Sequence, residues 1–228
     1  MTSHLSFKHP LLKVLTAFSM LCILMVLMRI FYTSNFRYAF LIWNLFLAWI
    51  PLFFVLILRK NERLRKSTIR SSMLLLFWLL FFPNAPYILT DLVHLLHNHY
   101  MPFWFDLVMI LSFAWTGLLT GFVSLIEIQN FFIEKFGKVV SWFFTVIALV
   151  LGSFGVYLGR YGRYNSWDVI ANPLELSREI LTMLINPLNH AQMYGMTFFF
   201  SCFLILAYLI LFILINSKNI LVSREKNS

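Results

Sequence analysis

The chain contains six apolar stretches, each bounded by polar or charged residues. An α-helix rises about 1.5 Å per residue, so roughly 20 apolar residues are needed to cross a hydrocarbon core of about 30 Å. The whole chain is 61% hydrophobic and 12% charged, whereas soluble domains carry roughly 25% charged residues. These features exclude a water-soluble fold and predict an all-α integral membrane bundle. The predicted spans are residues 11–31, 38–58, 71–97, 102–126, 139–158 and 191–215.

Two prolines, Pro83 and Pro86, interrupt the third stretch. Each lacks a backbone N–H and disfavours the α region for the residue before it. The apolar run before them, residues 71–82, reaches only about 18 Å. We therefore predict a broken third helix whose second half begins near Pro86 and points unpaired backbone N–H groups into the membrane. Polar residues beyond the break are expected to share one helix face: Tyr87, Thr90, Asp91, His94 and Asn98.

The positions of the Lys and Arg residues predict the orientation of the bundle. The net charge is +9, but the basic residues lie between the apolar stretches and form no single stripe, so a nucleic-acid partner is not expected. Most of them fall on the side that holds both termini, above all in residues 59–70. The positive-inside rule therefore places both termini in the cytoplasm. Arg29, at the far end of the first span, is expected to extend its side chain towards the opposite surface.

Small residues in the fourth and fifth spans predict close helix packing. Gly117 and Gly121 are four residues apart, as are Gly155 and Gly159. Such pairs allow helix backbones to approach, so the fourth and fifth helices are expected to pack together. Residues 127–138 are predicted to form a short mixed-charge loop between them.

The longest extramembrane segment follows the fifth span. Asn172, Pro173 and Glu175 are typical of a helix start, with a capping Asn, Pro at the first helical position and an acidic first turn. We predict a helix at residues 172–186 that lies along the outer bilayer surface.

Polar residues on the predicted outer side form the candidate site. Ionisable groups near a bilayer are costly and usually face a cavity or one another, which makes them functional candidates. Arg160 and Arg163 are candidates to bind a phosphate or carboxylate group. Asp91, His94 and Asp106 are the catalytic candidates. The full set of ligand-binding candidates is Asn84, Tyr87, Asp91, Asp106, Arg160, Arg163, Asn165, Trp167 and Asp168.

The same residues also have a structural interpretation. Asp106 lies in the first turn of a helix, where a carboxylate complements the helix dipole. Asn165 or Asp168 can cap the following helix. The outer arginines can pair with Asp91 or Asp168 and hold the loops together. Trp167 fits an interfacial aromatic belt.

A metal site is a further alternative, because Asp91 and His94 are three residues apart, as are His94 and His97. Its ligands would be Asp91, His94, His97 or His99, and Asp106. The sequence has no CxxC, GxSxG, HExxH or P-loop motif, so no catalytic signature supports an enzyme. No cofactor is predicted.

Four stretches of the sequence resemble an uncharacterised family of bacterial multipass membrane proteins, classed as a domain of unknown function. They are PNAPYILTDL at residues 83–92, WFD at 104–106, GFVSL at 121–125 and GRYGRYNSWD at 159–168. The resemblance extends over nearly all of the membrane region and implies a location in the bacterial cytoplasmic membrane. It implies no activity.

The leading hypothesis from the sequence is an outward-facing pocket that binds a polar or anionic envelope component, such as a lipid headgroup or a lipid-linked glycan. A transporter is the first alternative, and a non-catalytic structural or assembly protein is the second. Transport predicts a continuous polar path to the inner face. Binding predicts that five residues meet in one cavity, and scattered positions favour the structural role: Asn84, Asp91, Asp106, Arg163 and Asp168.

Overall fold

The computed structural model describes residues 9–96 and 101–225, which form helices joined by short connections. The α-helices are α1 (His9–Thr33), α2 (Phe40–Lys60), α3 (Glu62–Lys66), α4 (Thr68–Phe81), α5 (Asn84–Tyr87), α6 (Phe103–Phe136), α7 (Lys138–Arg160), α8 (Asp168–Ala171), α9 (Pro173–Ile185) and α10 (Ala191–Glu225). A 3-10 helix, Ile88–Leu96, follows α5 directly. The described residues include no strand, which confirms the all-α fold class.

Within the described residues, six helical segments are long and apolar enough to cross a membrane. They are Pro10–Thr33, Phe40–Lys60, Thr68–Leu95, Phe103–Phe136, Lys138–Arg160 and Ala191–Ile215. The prediction of six membrane-spanning helices is therefore confirmed by length and composition. The central helix is α6, the most buried of the six, which packs against α1, α2, α5, the 3-10 helix and α7. Helix α10 packs against α7, and its Tyr208 hydroxyl donates to Gln129 Oε1 of α6 at 2.6 Å.

The two ends of the bundle differ in character. We call the end that carries α3 and Gly137 the basic end, and the end that carries residues 161–190 the long-loop end. At the basic end Arg59 donates to the Glu127 carboxylate (3.3 Å), and Arg65 pairs with Glu134. These pairs connect the residue 59–66 region to the end of α6.

The predicted loop at residues 127–138 is wrong, because α6 continues through it to Phe136. Ile128 and Gln129 lie on the buried side of this extension, and its carboxylates pair with arginines of the basic end. The helix ends only at Gly137, whose φ of +86° is a conformation that other residues rarely adopt. Thus α6 is about 51 Å long, well beyond the thickness of a hydrocarbon core.

The interruption at Pro83–Pro86 is a change of helical geometry. Helix α4 ends at Phe81, yet Phe82, Pro83 and Ile88 keep right-handed helical dihedral angles. The Ala85 N–H donates to the Phe82 carbonyl (3.1 Å), and the Tyr87 N–H donates to the Pro83 carbonyl (3.0 Å). The Ala85 and Tyr87 N–H groups are paired by an i−3 and an i−4 hydrogen bond, so the expected helix start near Pro86 with unpaired N–H groups is wrong.

The polar face predicted beyond the break is also rearranged. In a 3-10 helix the side chains three residues apart eclipse one another. Asp91 and His94 consequently stand one above the other, with 3.9 Å between Asp91 Oδ1 and His94 Nε2. Thr90 falls in the neighbouring column and donates to the Tyr87 carbonyl (2.6 Å). Asn98, the last member of the predicted face, lies outside the described residues.

Glycines of α6 and α7 lie in close contact with residues 82–88, and we call this contact surface the glycine bed. A Cβ at Gly121 would lie 2.6 Å from the Ala85 Cβ, and one at Gly155 would lie 2.6 Å from the Pro83 Cγ. Helices α6 and α7 do pack together, as predicted. However, their glycines admit a third element between them, since the absent side chains make room for residues 82–88.

Helix α9 matches the predicted segment at residues 172–186. Pro173 is its first residue, but the Asn172 side chain makes no capping hydrogen bond. Leu176 and Met183 attach the helix to the bundle, whereas Leu174 and Ile185 are 85% and 73% exposed. The outward face of α9 is therefore partly apolar.

Candidate functional site

A cavity of about 310 Å³ lies at the long-loop end of the bundle. Helices α2, α4 and α7 supply its walls, α5 closes one side, and residues 164–169 with α9 cover it. We call it the Asn84 cavity. Because residues 82–88 lie close against α6 and α7, the interruption in the third span positions the polar side chains of this cavity.

The wall of the Asn84 cavity nearest the long loop is polar. Its amide and hydroxyl side chains come from three different parts of the chain: Asn44, Asn84, Tyr87, Tyr164, Asn165 and Ser166. The Asn84 amide nitrogen donates to the Phe81 carbonyl and to Ser166 Oγ, both at 2.9 Å. This second bond ties the residue 161–167 loop to the interruption.

The remaining part of the lining, which we call the apolar wall, consists of hydrocarbon side chains. Leu79, Leu151, Phe154 and Leu158 line it from α4 and α7. Trp43 and Leu151 also line the cavity, and they are 54% and 43% exposed on the side of the bundle. The cavity thus joins a polar recess to an apolar surface on the flank of the bundle.

Tyr164 closes the cavity from the loop side. Its N–H donates to the Leu158 carbonyl (3.2 Å), which folds the loop back over the end of α7. Its hydroxyl donates to Glu179 Oε2 at 3.1 Å. Loss of hydration, together with the bond to Glu179 and nearby carboxylates, raises the pKa of Tyr164 above its ordinary value. The hydroxyl therefore stays protonated and links the loop to α9.

Asp91 lies behind the cavity, almost fully buried, in a network of its own. The Asn44 amide nitrogen donates to Asp91 Oδ2 (2.9 Å), and Arg160 pairs with Asp91 Oδ1. Arg160 also donates to Thr90 Oγ1 at 2.9 and 2.7 Å, and its guanidinium lies 4.7 Å from the centroid of the Tyr87 ring. Asn44 and Tyr87 belong to both the network and the cavity wall, so they connect the two.

Asp106 lies in a second, separate ion pair with Arg29. Arg29 Nε donates to Asp106 Oδ1 (2.7 Å) and Arg29 Nη2 to Asp106 Oδ2 (3.3 Å), and both side chains are fully buried. The guanidinium also lies 4.3 Å from the centroid of the Tyr38 ring. The expectation that Arg29 extends to the surface is wrong, because a buried carboxylate retains it inside the bundle.

The remaining candidates lie in the residue 161–168 loop. Asp168 Oδ2 accepts from the Asn165 N–H (2.6 Å), and Arg163 has a left-handed φ of 58°. Trp167 is 41% exposed. Of the predicted ligand-binding residues, the structure brings Asn84, Tyr87 and Asn165 to the cavity. The others lie outside its lining: Asp91, Asp106, Arg160, Arg163, Trp167 and Asp168.

Within residues 9–96 and 101–225, no group of three or more His, Cys, Asp or Glu side chains is arranged to hold a metal ion. Asp106 bonds to Arg29, and Asp91 bonds to Asn44 and Arg160. His97 and His99, two of the proposed ligands, lie outside the described residues. The metal alternative therefore gains no support from the part of the chain that is described.

Sequence reasoning missed several residues that build these sites. Asn44, Tyr164 and Ser166 are not among the residues that the sequence predicts to bind a ligand. Arg29 carried a usable signal, because a cation inside a span usually has a buried partner. Ser166 carried none, since its position depends on how the loop folds.

The chain was compared with known protein families, curated proteins and solved structures. A family described as a protein of unknown function (DUF1361) matches residues 43–207. The chain belongs to this family. No curated protein and no solved structure matches it. The DUF1361 match begins in α2 and ends in α10, so it contains the whole lining of the Asn84 cavity together with Asp91 and Asp106, whereas Arg29 precedes it.

Proposed function

We propose that this DUF1361 membrane protein binds the polar head of a membrane amphiphile in the Asn84 cavity, with the long-loop end at the outer face of a bacterial cytoplasmic membrane and both termini inside. The observation that carries the proposal is the mixed lining of the cavity. Amide and hydroxyl groups form part of it, and leucine and phenylalanine side chains form the apolar wall. A ligand with a polar head and an apolar chain satisfies both.

The dimensions of the cavity suit one headgroup with the first part of a chain. Small-molecule sites typically have volumes of about 300–1,000 Å³, and a cavity of about 310 Å³ is at the small end of this range. The exposed edge at Trp43 and Leu151 offers a lateral entry from lipid. A hydrocarbon chain that leaves by this edge stays in contact with the bilayer.

The charge of the lining favours a polar ligand over an anionic one. Arg160, a candidate for anion binding, is occupied by Asp91 and Thr90. The lining residues carry no formal charge within the described part of the chain. Asp91 is equally occupied, so its carboxylate serves the network with Asn44 and Arg160, and we assign it no catalytic role.

Transport receives less support than binding. It requires a polar path from the cavity to the basic end. Large buried side chains of the core, including Trp78, Phe82 and Phe122, fill the bundle next to the cavity. The Trp78 indole N–H is used within this core, where it donates to Ser124 Oγ at 3.1 Å.

Lipid analysis of the purified protein tests the proposal. Leu151→Trp fills the apolar wall, whereas Leu206→Trp, on the exposed face of α10, adds the same ring away from the cavity. After purification in mild detergent, lipids are extracted and quantified by mass spectrometry against the total membrane extract. We expect one lipid class to be enriched with the wild type and with Leu206→Trp, and lost with Leu151→Trp. Equal lipid profiles for all three proteins would refute the proposal.

A further inference from the structure

The hydrogen bonds of the cavity wall fix which atoms remain for a ligand. An Asn side chain has two N–H donors and one carbonyl acceptor. In Asn84 the nitrogen already donates to Phe81 and to Ser166, so only its oxygen remains. In Asn44 one N–H donates to Asp91, which leaves its second N–H and its oxygen.

The orientation of both amides follows from their partners. The Phe81 carbonyl and the Asp91 carboxylate are acceptors, and each therefore requires the nitrogen side of the amide. Turning either amide over would set oxygen against oxygen. Asn84 consequently presents only its carbonyl oxygen, which can accept hydrogen bonds from a ligand but cannot donate them, whereas Asn44 presents its carbonyl oxygen and one N–H.

Two further groups on the same wall have no hydrogen-bond partner among the described residues. They are the Tyr87 hydroxyl and the Asn165 side-chain amide. The Tyr87 hydroxyl can donate or accept, and the Asn165 amide can do both. The wall as a whole offers both acceptors and donors, in a lining without formal charge.

A phosphate group is poorly complementary to the polar wall of the Asn84 cavity. Its oxygens are acceptors and carry negative charge, so the Asn44 and Asn84 carbonyl oxygens repel it, and Arg160 is already paired with Asp91. A hydroxyl group fits, because it donates to a carbonyl oxygen and accepts from Tyr87 or Asn165. Several hydroxyls on one small ring or chain would use several of these groups together.

From this arrangement we infer that the Asn84 cavity selects an uncharged, hydroxyl-rich headgroup, such as a hexose or glycerol carried on a hydrocarbon chain, over a headgroup that bears phosphate. The inference rests on the proposed function and names the chemical class of its ligand. The apolar wall contacts the first part of the ligand's hydrocarbon chain. The amide oxygens of Asn44 and Asn84 accept hydrogen bonds from hydroxyl groups and repel anions.

A competition experiment tests the headgroup. The protein is reconstituted in phosphatidylcholine nanodiscs and equilibrated with radiolabelled decyl glucoside, which is then displaced by unlabelled decyl glucoside, decyl phosphate or glucose. We expect decyl glucoside to compete at a concentration at least about 10-fold below that of decyl phosphate, and glucose to compete only weakly because it lacks the chain.

Tyr87→Phe removes one hydroxyl and keeps the ring beneath Arg160, so we expect it to weaken decyl glucoside binding about 5-fold. The matched control is Tyr161→Phe, which removes a hydroxyl from an exposed tyrosine outside the cavity lining and should leave binding unchanged. Equal effects of the two variants would overturn the assignment of the Tyr87 wall.

The outcomes separate this inference from the proposed function. Competition by decyl phosphate as strong as that by decyl glucoside would overturn the headgroup selectivity and leave amphiphile binding intact. Competition by glucose as strong as that by decyl glucoside would show a free sugar site and overturn the lipid assignment. No saturable binding of either decyl compound would overturn both proposals.

Discussion

Asp91 and Arg160 form an ion pair between residues that lie 69 positions apart in the chain. The carboxylate belongs to the 3-10 helix after the interrupted third span, and the guanidinium ends α7. Asn44 from α2 completes the contact at Asp91 Oδ2. This one buried carboxylate therefore connects the second, third and fifth spans directly behind the Asn84 cavity.

The first prediction concerns this pair. Arg160→Met leaves the Asp91 charge buried without its main partner, so we expect the free energy of unfolding to fall by about 3–5 kcal/mol. Unfolding of the purified protein in mixed detergent and dodecyl sulfate measures the change. Arg178→Met, at an exposed arginine of α9, is the matched control and should have little effect.

A double variant distinguishes pairing from loss of packing. Asp91→Asn combined with Arg160→Met should recover part of the loss, because no unpaired charge remains. If the double variant is as unstable as the sum of the single variants, the two side chains are not energetically coupled.

The second prediction concerns Arg29 and Asp106. Because two nitrogens of the Arg29 guanidinium donate to the two carboxylate oxygens of Asp106, Arg29→Lys should lower stability although it keeps the charge. The expected loss is about 1–3 kcal/mol, and the melting temperature of the purified protein measures it. Arg37→Lys, at a half-buried arginine near the same ring, is the control. Equal melting temperatures for the two lysine variants would contradict a bidentate contact that matters for stability.

The third prediction concerns the glycine bed. A methyl group at Gly121 or Gly155 meets Ala85 or Pro83 at 2.6 Å, and neither neighbour can rotate away. Gly121→Ala and Gly155→Ala should each destabilise the protein by about 1–3 kcal/mol through overpacking. Gly195→Ala is the control, since nothing lies within 4 Å of its added carbon. Equal stability of the three variants would place residues 82–88 further from α6 and α7 than the structure has them.

The fourth prediction concerns orientation. In a background of Cys22→Ala and Cys202→Ala, we expect a membrane-impermeant maleimide to label Leu188→Cys in intact cells. Glu62→Cys should be labelled only after the cells are broken. Both positions are exposed, and they lie at the long-loop end and the basic end. The reverse pattern would invert the proposed topology.

Sequence reasoning predicted the features that depend on composition and local chemistry. The length of the apolar runs was sufficient to find all six spans, and Pro83 and Pro86 were sufficient to locate the interruption. The family resemblance was confirmed by the match over residues 43–207. These features follow from properties that each segment has by itself.

The parts that were wrong or missed depend on partners. Arg29 was expected at the surface because its carboxylate, Asp106, is 77 positions away and cannot be paired with it from spacing alone. Glu127 suggested a loop, whereas helix α6 continues through this position and Arg59 donates to the Glu127 carboxylate. Similarly, the sequence predicts Asn84 as a ligand contact, but it does not show that the Asn84 amide nitrogen donates to Ser166 Oγ.

The bed beneath residues 82–88 has a consequence for the order of assembly. Chain synthesis proceeds from the N-terminus, and both helices that supply this bed follow the interruption in the sequence. When the third span is synthesised, Gly155 and Arg160 have not yet been made. Pro83 therefore lacks its contact with Gly155, and Asp91 lacks its ion pair with Arg160. The final conformation of the third span must therefore await the fifth, so biogenesis of this protein includes an interval in which a carboxylate near the membrane lacks its cation.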